Sequence, residues 1–180
     1  MDLQLSEELK LLRDLAKSFT DERIRPLAPS IEREHRVPRS LIDEMAEAGL
    51  MGVALPTEYG GAGLGEMGLC IVMDEITRGD FSLAVTYGAH ASIGAMSVLV
   101  GGTSAQKQRF LPDMASGKLL GAYALSEAGA GSDPAAMTTT AVKDGASWVI
   151  NGEKVWITNG DMADVVTVFT VTDRARGARG

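Results

Sequence analysis

The spacing of apolar residues changes near residue 118 of this 180-residue chain. Before that point, apolar side chains recur every three or four positions, which is the period of an amphipathic helix. After it come short runs rich in β-branched and aromatic residues, with turn-forming dipeptides between most of them. The two periods predict an α+β fold, with an all-α domain over residues 1–118 and an antiparallel β domain over residues 119–180.

The helical part is predicted to hold five helices. The first has Ser6 as its N-cap and ends at Pro26 and Pro29, because proline interrupts a helix. The second begins near Pro38, a residue suited to a first turn, and stops at Gly49. The glycine-rich stretch "PTEYGGAGLG" is predicted to be a loop between this helix and the other three.

The remaining helices are predicted over residues 66–77, over residues 82–99 and over a short segment after residue 103. The stretch 82–99 is apolar on nearly every side, which indicates a helix in the middle of a bundle. The longest apolar run, Phe81 to Val100, is interrupted by Gly88, His90 and Gly94, which favours a buried helix over a membrane span. Thr103 and Gln106 have the spacing of a capping box, which opens the fifth helix.

The second part is predicted to be an antiparallel meander of five strands: "LLGAYALS", "MTTTAVK", "SWVIN", "EKVWITN" and "DVVTVFTV". Asp144-Gly145, Asn151-Gly152 and Asn159-Gly160 separate the last four and are suited to two-residue hairpin turns. No strand follows the apolar last one, and a complete barrel would not tolerate such an open edge. The β domain is therefore predicted to be an incomplete barrel. Either another chain covers the edge or the chain is a truncated piece of a longer protein, and truncation is favoured.

Composition excludes several classes of function. The formal net charge of -7 argues against nucleic-acid binding, which depends on clustered lysine and arginine. Cys70 is the only cysteine, so a disulfide-stapled secreted scaffold is excluded, and with only His35 and His90 besides it no metal site is expected. The acidic N-terminus lacks the features of a signal peptide, which predicts a cytoplasmic protein.

The stretch "YALSEAGAGSDPAA", residues 123–136, joins a strand-like run to nearly bare backbone. One interpretation is a plain turn, in which Gly129 and Gly131 supply unusual dihedral angles. The other is a ligand cradle, in which small residues let an anionic group approach the backbone N–H groups and Ser132 adds a hydroxyl donor. The motifs of Rossmann and P-loop proteins do not fit, because a third glycine and a Gly-Lys-Ser/Thr run are missing and a helix does not follow.

A second segment, "INGEKVWITNG" at residues 150–160, offers an aromatic surface. If it is a strand, Trp156 and Thr158 lie on the same face and could flank a planar heterocycle. Alternatively, Trp156 packs in the core and Thr158 is an ordinary strand residue.

The two segments together closely resemble the paired signature of the acyl-CoA dehydrogenase family, flavoenzymes that desaturate acyl thioesters. The resemblance covers essentially the whole chain, including "GLMGVALPTEYGGAGLG" and "GTSAQKQRFLPDMASGKLLGAYALSE". It implies a helical N-terminal domain followed by the start of the middle β domain, with the family's C-terminal helical domain absent.

The resemblance implies an FAD site and assigns residues to it. The first segment would line FAD through Tyr123, Ala124, Leu125, Ser126, Glu127, Ala128, Gly129, Ala130, Gly131 and Ser132. Leu125 and Ser126 would lie beside the flavin ring, and Ser132 would also contact the acyl-CoA. The second segment would contribute Trp156 against the ring system, with Ile157 beside it, and Thr158 toward flavin N5. Ala128 stands where the family usually has proline, which loosens the turn slightly.

The implied reaction is α,β-desaturation of an acyl-CoA, with electrons passing to an electron-transfer flavoprotein and with a homo-oligomer, a tetramer in the family, as the assembly. The family's base is a glutamate from the C-terminal domain, so no catalytic residue is expected in this chain, and Glu127 is interpreted as structural. His90 and Tyr87 are interpreted as satisfied core groups. Two alternatives stay open: a non-catalytic flavin- or acyl-CoA-binding module, and a related acyl-CoA oxidase or flavin monooxygenase.

Overall fold

The computed structural model describes residues 4–179, with side chains through residue 177. In this part of the chain a helical region is followed by a small β region that does not close into a barrel, so the fold is α+β as expected. The helices are α1 (Glu7–Phe19), α2 (Arg25–Glu34), α3 (Arg39–Glu47), α4 (Gly65–Thr77), α5 (Phe81–Gly88), α6 (Ala95–Gly101) and α7 (Ser104–Ala115).

The first helix begins where the sequence predicts but does not end at the prolines. The Ser6 side chain accepts a hydrogen bond from the Leu9 N–H at 3.3 Å and caps α1. A π-helical segment, Thr20–Ile24, then joins α1 to α2 without a break. Within it the Arg25 N–H donates to the Thr20 carbonyl five residues back, so the hydrogen-bond register shifts just before Pro26 and the helix continues. The predicted end of the first helix is therefore wrong.

The next two helices follow the prediction closely. Pro38 is the N-cap of α3, and Gly49 lies just past its end with φ of +75°, the left-handed conformation that favours glycine. The loop that follows contains one 3-10 turn, Thr57–Tyr59, before α4 begins at Gly65.

The core helix comprises α5, a second π-helical segment (Ala89–Gly94) and α6, and it runs from Phe81 to Gly101. The side chain of Asp80 accepts from the Leu83 N–H at 2.7 Å and fixes its start. Leu83, Tyr87 and His90 are buried, as expected of a helix in the middle of the bundle.

Within residues 4–179, the core helix is also the one helix long and apolar enough to cross a membrane, with a mean hydropathy of 1.5. Gly88 and Gly94 do not break it. However, 61% of its most apolar window is buried inside the protein, and the core helix of a soluble protein passes the same test of length and composition.

Helix α7 starts with the predicted capping box. The Thr103 hydroxyl accepts from the Gln106 N–H at 3.3 Å, and the Gln106 side chain accepts from the Thr103 N–H at 2.8 Å.

Replacing Thr103 with alanine is expected to lower the free energy of unfolding by about 1 kcal/mol, because one N–H at the start of α7 loses its acceptor. Urea unfolding followed by circular dichroism measures the change. The control is Gln108→Ala, an exposed position on the same helix, where a change within about 0.5 kcal/mol is expected. Equal stability of the two variants would contradict the role of the cap.

Up to residue 179, where the description of the chain ends, the β region contains four strands, β1 (Gly121–Ala124), β2 (Thr140–Asp144), β3 (Ser147–Asn151) and β4 (Val165–Val168). Strands β2 and β3 form the predicted antiparallel hairpin, with Gly145 in its turn at φ of +59°. Strands β1 and β4, however, pair in parallel, with Gly121 opposite Val165. The predicted antiparallel meander is therefore wrong.

The cause is the predicted strand "EKVWITN", which is not a strand. Trp156 and Asn159 have φ of +59° and +66°, and the chain turns over residues 158–162 before β4 begins. This connection returns the chain so that β4 runs alongside β1 in the same direction.

Strand β1 lies directly against the core helix because two glycines allow the approach. A β-carbon at Gly94 would lie 2.9 Å from the Ala89 carbonyl oxygen and 3.1 Å from the carbonyl carbon of Gly121. At Gly121 it would lie 2.6 Å from Met114 Cε. The close contact places the start of β1 beside the second π-helical segment.

Candidate functional site

The signature loop, residues 125–132, begins where β1 ends at Ala124. It closes on itself through two backbone hydrogen bonds, from the Glu127 N–H to the Ala130 carbonyl at 2.9 Å and from the Ala130 N–H to the Glu127 carbonyl at 3.1 Å. Gly129 and Gly131 are exposed, neither has φ in the left-handed region, and an added β-carbon at either would meet no atom within 4 Å. The turn itself therefore does not require glycine, which favours the ligand cradle over the plain turn.

The other residues predicted to line the cradle lie around this loop. Ala124 and Ala130 are buried, Tyr123, Leu125 and Ser126 are half-buried, and Ala128 and Ser132 are exposed. Ala128, Gly129, Gly131 and Ser132 thus form an open surface of backbone and small side chains.

The Glu127 carboxylate is the centre of a hydrogen-bonded cluster beneath the loop. It accepts from Lys154 Nζ at 2.8 Å, from the Thr138 N–H at 2.6 Å, from the Thr138 hydroxyl at 2.7 Å and from the Thr139 N–H at 2.9 Å. Lys154 and the donors of Thr139 and Thr138 hold the pKa of the Glu127 carboxyl well below its usual range. We call Glu127 and Lys154 the clamp pair.

A backbone hydrogen bond connects the second segment to the first, in addition to the clamp pair. The Val155 N–H donates to the Ser126 carbonyl at 2.9 Å. The next residue, Trp156, has a left-handed backbone and is 90% exposed, while Ile157 and Thr158 are half-buried. The prediction that Trp156 and Thr158 share one face of a strand is wrong because of the turn, and Trp156 does not pack in the core either.

Asn159 anchors the second segment to the helical region. Its side chain is buried, and Nδ2 donates to the Thr86 carbonyl at 2.9 Å and to the Gly121 carbonyl at 3.2 Å. Asn159 therefore joins the core helix, β1 and the end of the second segment. Sequence reasoning treated it only as a hairpin-turn residue, although asparagine's tolerance of the left-handed conformation was the available signal.

His90, on the second π-helical segment, holds the start of β1. Its Nδ1 accepts from the Gly121 N–H at 2.9 Å, and Nε2 lies 3.1 Å from the Met114 carbonyl, so the two partners select the neutral tautomer with the proton on Nε2. Burial lowers the pKa of His90 to about 4. Tyr87 donates to the Leu50 carbonyl at 3.0 Å, and burial raises its pKa. Both are satisfied core groups, as predicted.

Two cavities flank Tyr123 and Phe169, whose rings pack with their centroids 4.8 Å apart. One, of about 710 Å³, is largely apolar and lies between the core helix and β4, with Met96 and Val166 in its wall. The other, of about 410 Å³, is lined in part by Leu125 and opens beside the signature loop. The candidate site thus has apolar space next to its open backbone surface.

The fold and the site together define an α+β protein with an exposed loop of small residues that follows β1. The N-terminal domain model of the acyl-CoA dehydrogenases matches residues 6–118, and the middle-domain model matches residues 122–180. The chain belongs to the acyl-CoA dehydrogenase family.

Individual relatives agree with this assignment. The short-chain-specific acyl-CoA dehydrogenase of Clostridium acetobutylicum is 37% identical over 180 residues, which is 100% of this chain and 48% of the relative. An acyl-CoA dehydrogenase from Bacillus anthracis, solved in complex with FAD, is 37% identical with a TM-score of 0.88, over 94% of this chain and 30% of that one. A chain from a structure described as the electron transferring flavoprotein of Acidaminococcus fermentans is 37% identical with a TM-score of 0.97, over 100% of this chain and 47% of that one. The chain thus spans about half the length of the curated relatives it matches.

Proposed function

We propose that this chain provides the flavin-binding part of an acyl-CoA dehydrogenase, which desaturates an acyl-CoA between its α and β carbons and passes the electrons to an electron-transfer flavoprotein. The observation that carries the proposal is Trp156, whose indole is 90% exposed on a left-handed backbone beside the signature loop. A large apolar side chain displayed in an uncommon conformation is typical of a binding surface and gives no benefit to the core.

The residues of both segments have roles in this proposal. Tyr123 to Ser132 would line the cofactor with backbone and small side chains, Trp156 would pack against its ring system with Ile157 beside it, and the Thr158 hydroxyl would serve as a hydrogen-bond donor to the flavin. Ser132, exposed at the end of the loop, also contacts the thioester substrate. Bound FAD would accept the hydride that leaves the β carbon.

The base that removes the α proton is not Glu127. Its carboxylate already accepts four hydrogen bonds, and its lowered pKa makes it a poor proton acceptor. We place the base outside this chain, in the part of the relatives' length that the chain does not match. The support is that relatives of this family are about twice as long as the matched region.

Titration of the chain with FAD tests the proposal. The chain has two tryptophans, and replacing either one allows the fluorescence of the other to be measured alone. Trp148 is 54% exposed on the β2–β3 hairpin and serves as the matched control. FAD is expected to quench the fluorescence of Trp148→Phe protein, in which Trp156 remains. In Trp156→Phe protein the quenching is lost and FAD binding weakens by about three- to tenfold, the contribution of one aromatic stacking contact. Absence of FAD binding in the parent, or loss of quenching in Trp148→Phe instead, would refute the proposal.

A further inference from the structure

The clamp pair connects three separate segments of the β region. Lys154 Nζ donates to the Leu125 carbonyl at 2.9 Å and to the Glu127 carboxylate at 2.8 Å, while Glu127 accepts from Thr138 and Thr139, just before β2. The signature loop, the segment 137–139 and the segment 153–155 therefore meet at one ion pair. Its two side chains are only 6% and 9% exposed.

Each member of the clamp pair is close in sequence to residues proposed to face the flavin. Glu127 follows Ser126, and Lys154 is two residues before Trp156. The Val155 N–H, between Lys154 and Trp156, bonds to the Ser126 carbonyl. A change in the clamp pair would therefore alter the spacing between the two segments.

We infer that Glu127 and Lys154 are positioning residues that hold the two halves of the flavin surface at the separation that FAD requires. This inference rests on the proposed function. Neither residue needs to touch the cofactor, since the pair acts through Ser126 on one side and Trp156 on the other. A sequence pattern does not reveal the pair, because a lysine in a strand-like run usually lies on a solvated face.

The two members of the pair are not equivalent. Without Lys154, the carboxylate keeps three hydrogen bonds from Thr138 and Thr139. Without a carboxylate, the buried ammonium keeps one oxygen acceptor, the Leu125 carbonyl. Glutamine at position 127 also has an NH2 group in place of one carboxylate oxygen. This group faces either the Thr138 N–H or Lys154, and both of these are hydrogen-bond donors themselves. Loss of the Glu127 charge should therefore perturb the site more than loss of the Lys154 charge.

The experiment compares FAD binding by the parent, Glu127→Gln, Lys154→Met and the double variant, in the chain with any continuation that its gene encodes. Two controls make the same chemical changes at exposed neighbours, Glu153→Gln and Lys143→Met. Dissociation constants and the visible spectrum of the bound flavin are measured at a temperature where circular dichroism shows each variant folded. A purely structural role would lower the melting temperature but leave both readouts unchanged.

We expect Glu127→Gln to weaken FAD binding by at least about tenfold and Lys154→Met by about threefold, with the controls within about twofold of the parent. The double variant should bind better than Glu127→Gln, because no unpaired ammonium remains. The flavin bound to Glu127→Gln should show a shifted visible band with less fine structure. If Glu127→Gln does not fold, the positioning role is tested by comparing the FAD affinity of Lys154→Met with that of Lys143→Met.

The outcomes separate the two proposals. If the parent binds FAD and the folded clamp variants match it in affinity and spectrum, the positioning role is wrong while the proposed function stands. If the parent does not bind FAD, the proposed function fails and the inference fails with it.

Discussion

Replacing Asn159 with leucine is expected to lower the free energy of unfolding by about 3 kcal/mol. The Asn159 Nδ2 group donates to the carbonyls of Thr86 and Gly121, and leucine leaves both without this donor. Loss of a partner for a buried polar group costs about 1–3 kcal/mol. A leucine at φ of +66° adds about 1 kcal/mol, because its β-carbon crowds the following carbonyl. Relief of the unpaired Asn159 Oδ1 offsets part of this cost.

Urea unfolding of three variants separates the effect of the lost hydrogen bonds from the effect of the left-handed backbone. Asn159→Gly removes the hydrogen bonds but tolerates the left-handed backbone, so its loss should be about 1 kcal/mol smaller than that of Asn159→Leu. The control, Asn151→Leu, is exposed at the end of β3 and should change stability by less than about 0.5 kcal/mol. If Asn159→Leu proves as stable as the control, this side chain does not hold the β region to the core helix.

The helical region could be predicted well because each helix carries its own signals. Ser6, Gly49 and the Thr103–Gln106 pair mark helix ends through contacts with residues only a few positions away. The two π-helical segments could not be predicted in the same way, because they depend on how a long helix packs. At Thr20–Ile24 the shifted register carries the helix past Pro26, which local rules treat as its end.

The β region was less predictable because the turn signal at Asn159-Gly160 does not join two strands of a hairpin. Asn159-Gly160 has the composition of a hairpin turn, and the chain does turn there, with the Gly160 N–H bonded to the Ile157 carbonyl at 2.9 Å. The Asn159 side chain, however, points into the helical region and fixes the turn against Thr86 and Gly121. Contacts over more than 30 residues of sequence therefore decide that β4 pairs with β1.

The candidate site shows the same division between local and distant signals. Its composition, the small residues from Gly129 to Ser132 and the tryptophan at position 156, could be found by pattern. The side chains that support it could not, because Lys154, Asn159 and His90 act through partners far away in the sequence.

Acidification from pH 6.5 to pH 4 is expected to lower the free energy of unfolding by about 3 kcal/mol through His90. Burial is the main cause of its low pKa, with a smaller contribution from the Arg39 charge, and the hydrogen bond to the Met114 carbonyl acts in the opposite direction. The pKa of His90 is about 4 in the folded chain against 6.5 for the free side chain. Between these values the unfolded chain binds the extra proton, so stability is full above pH 6.5 and falls as the pH decreases. The difference of about 2.5 units corresponds to about 3 kcal/mol.

Urea unfolding at several pH values between 7 and 4 measures this slope, and two histidine variants assign it. His90→Gln should be less stable at pH 7 but should lose most of the slope down to about pH 4.5. His35→Asn is the matched control, since His35 is exposed and asparagine tolerates its φ of +50°, and it should keep the parental slope. The lowered pKa of Glu127 adds its own loss at more acidic pH, because that carboxylate contributes stability only while it is ionised. A parental slope in His90→Gln would show that another group controls the acid response, and that His90 does not hold β1 as a neutral ring.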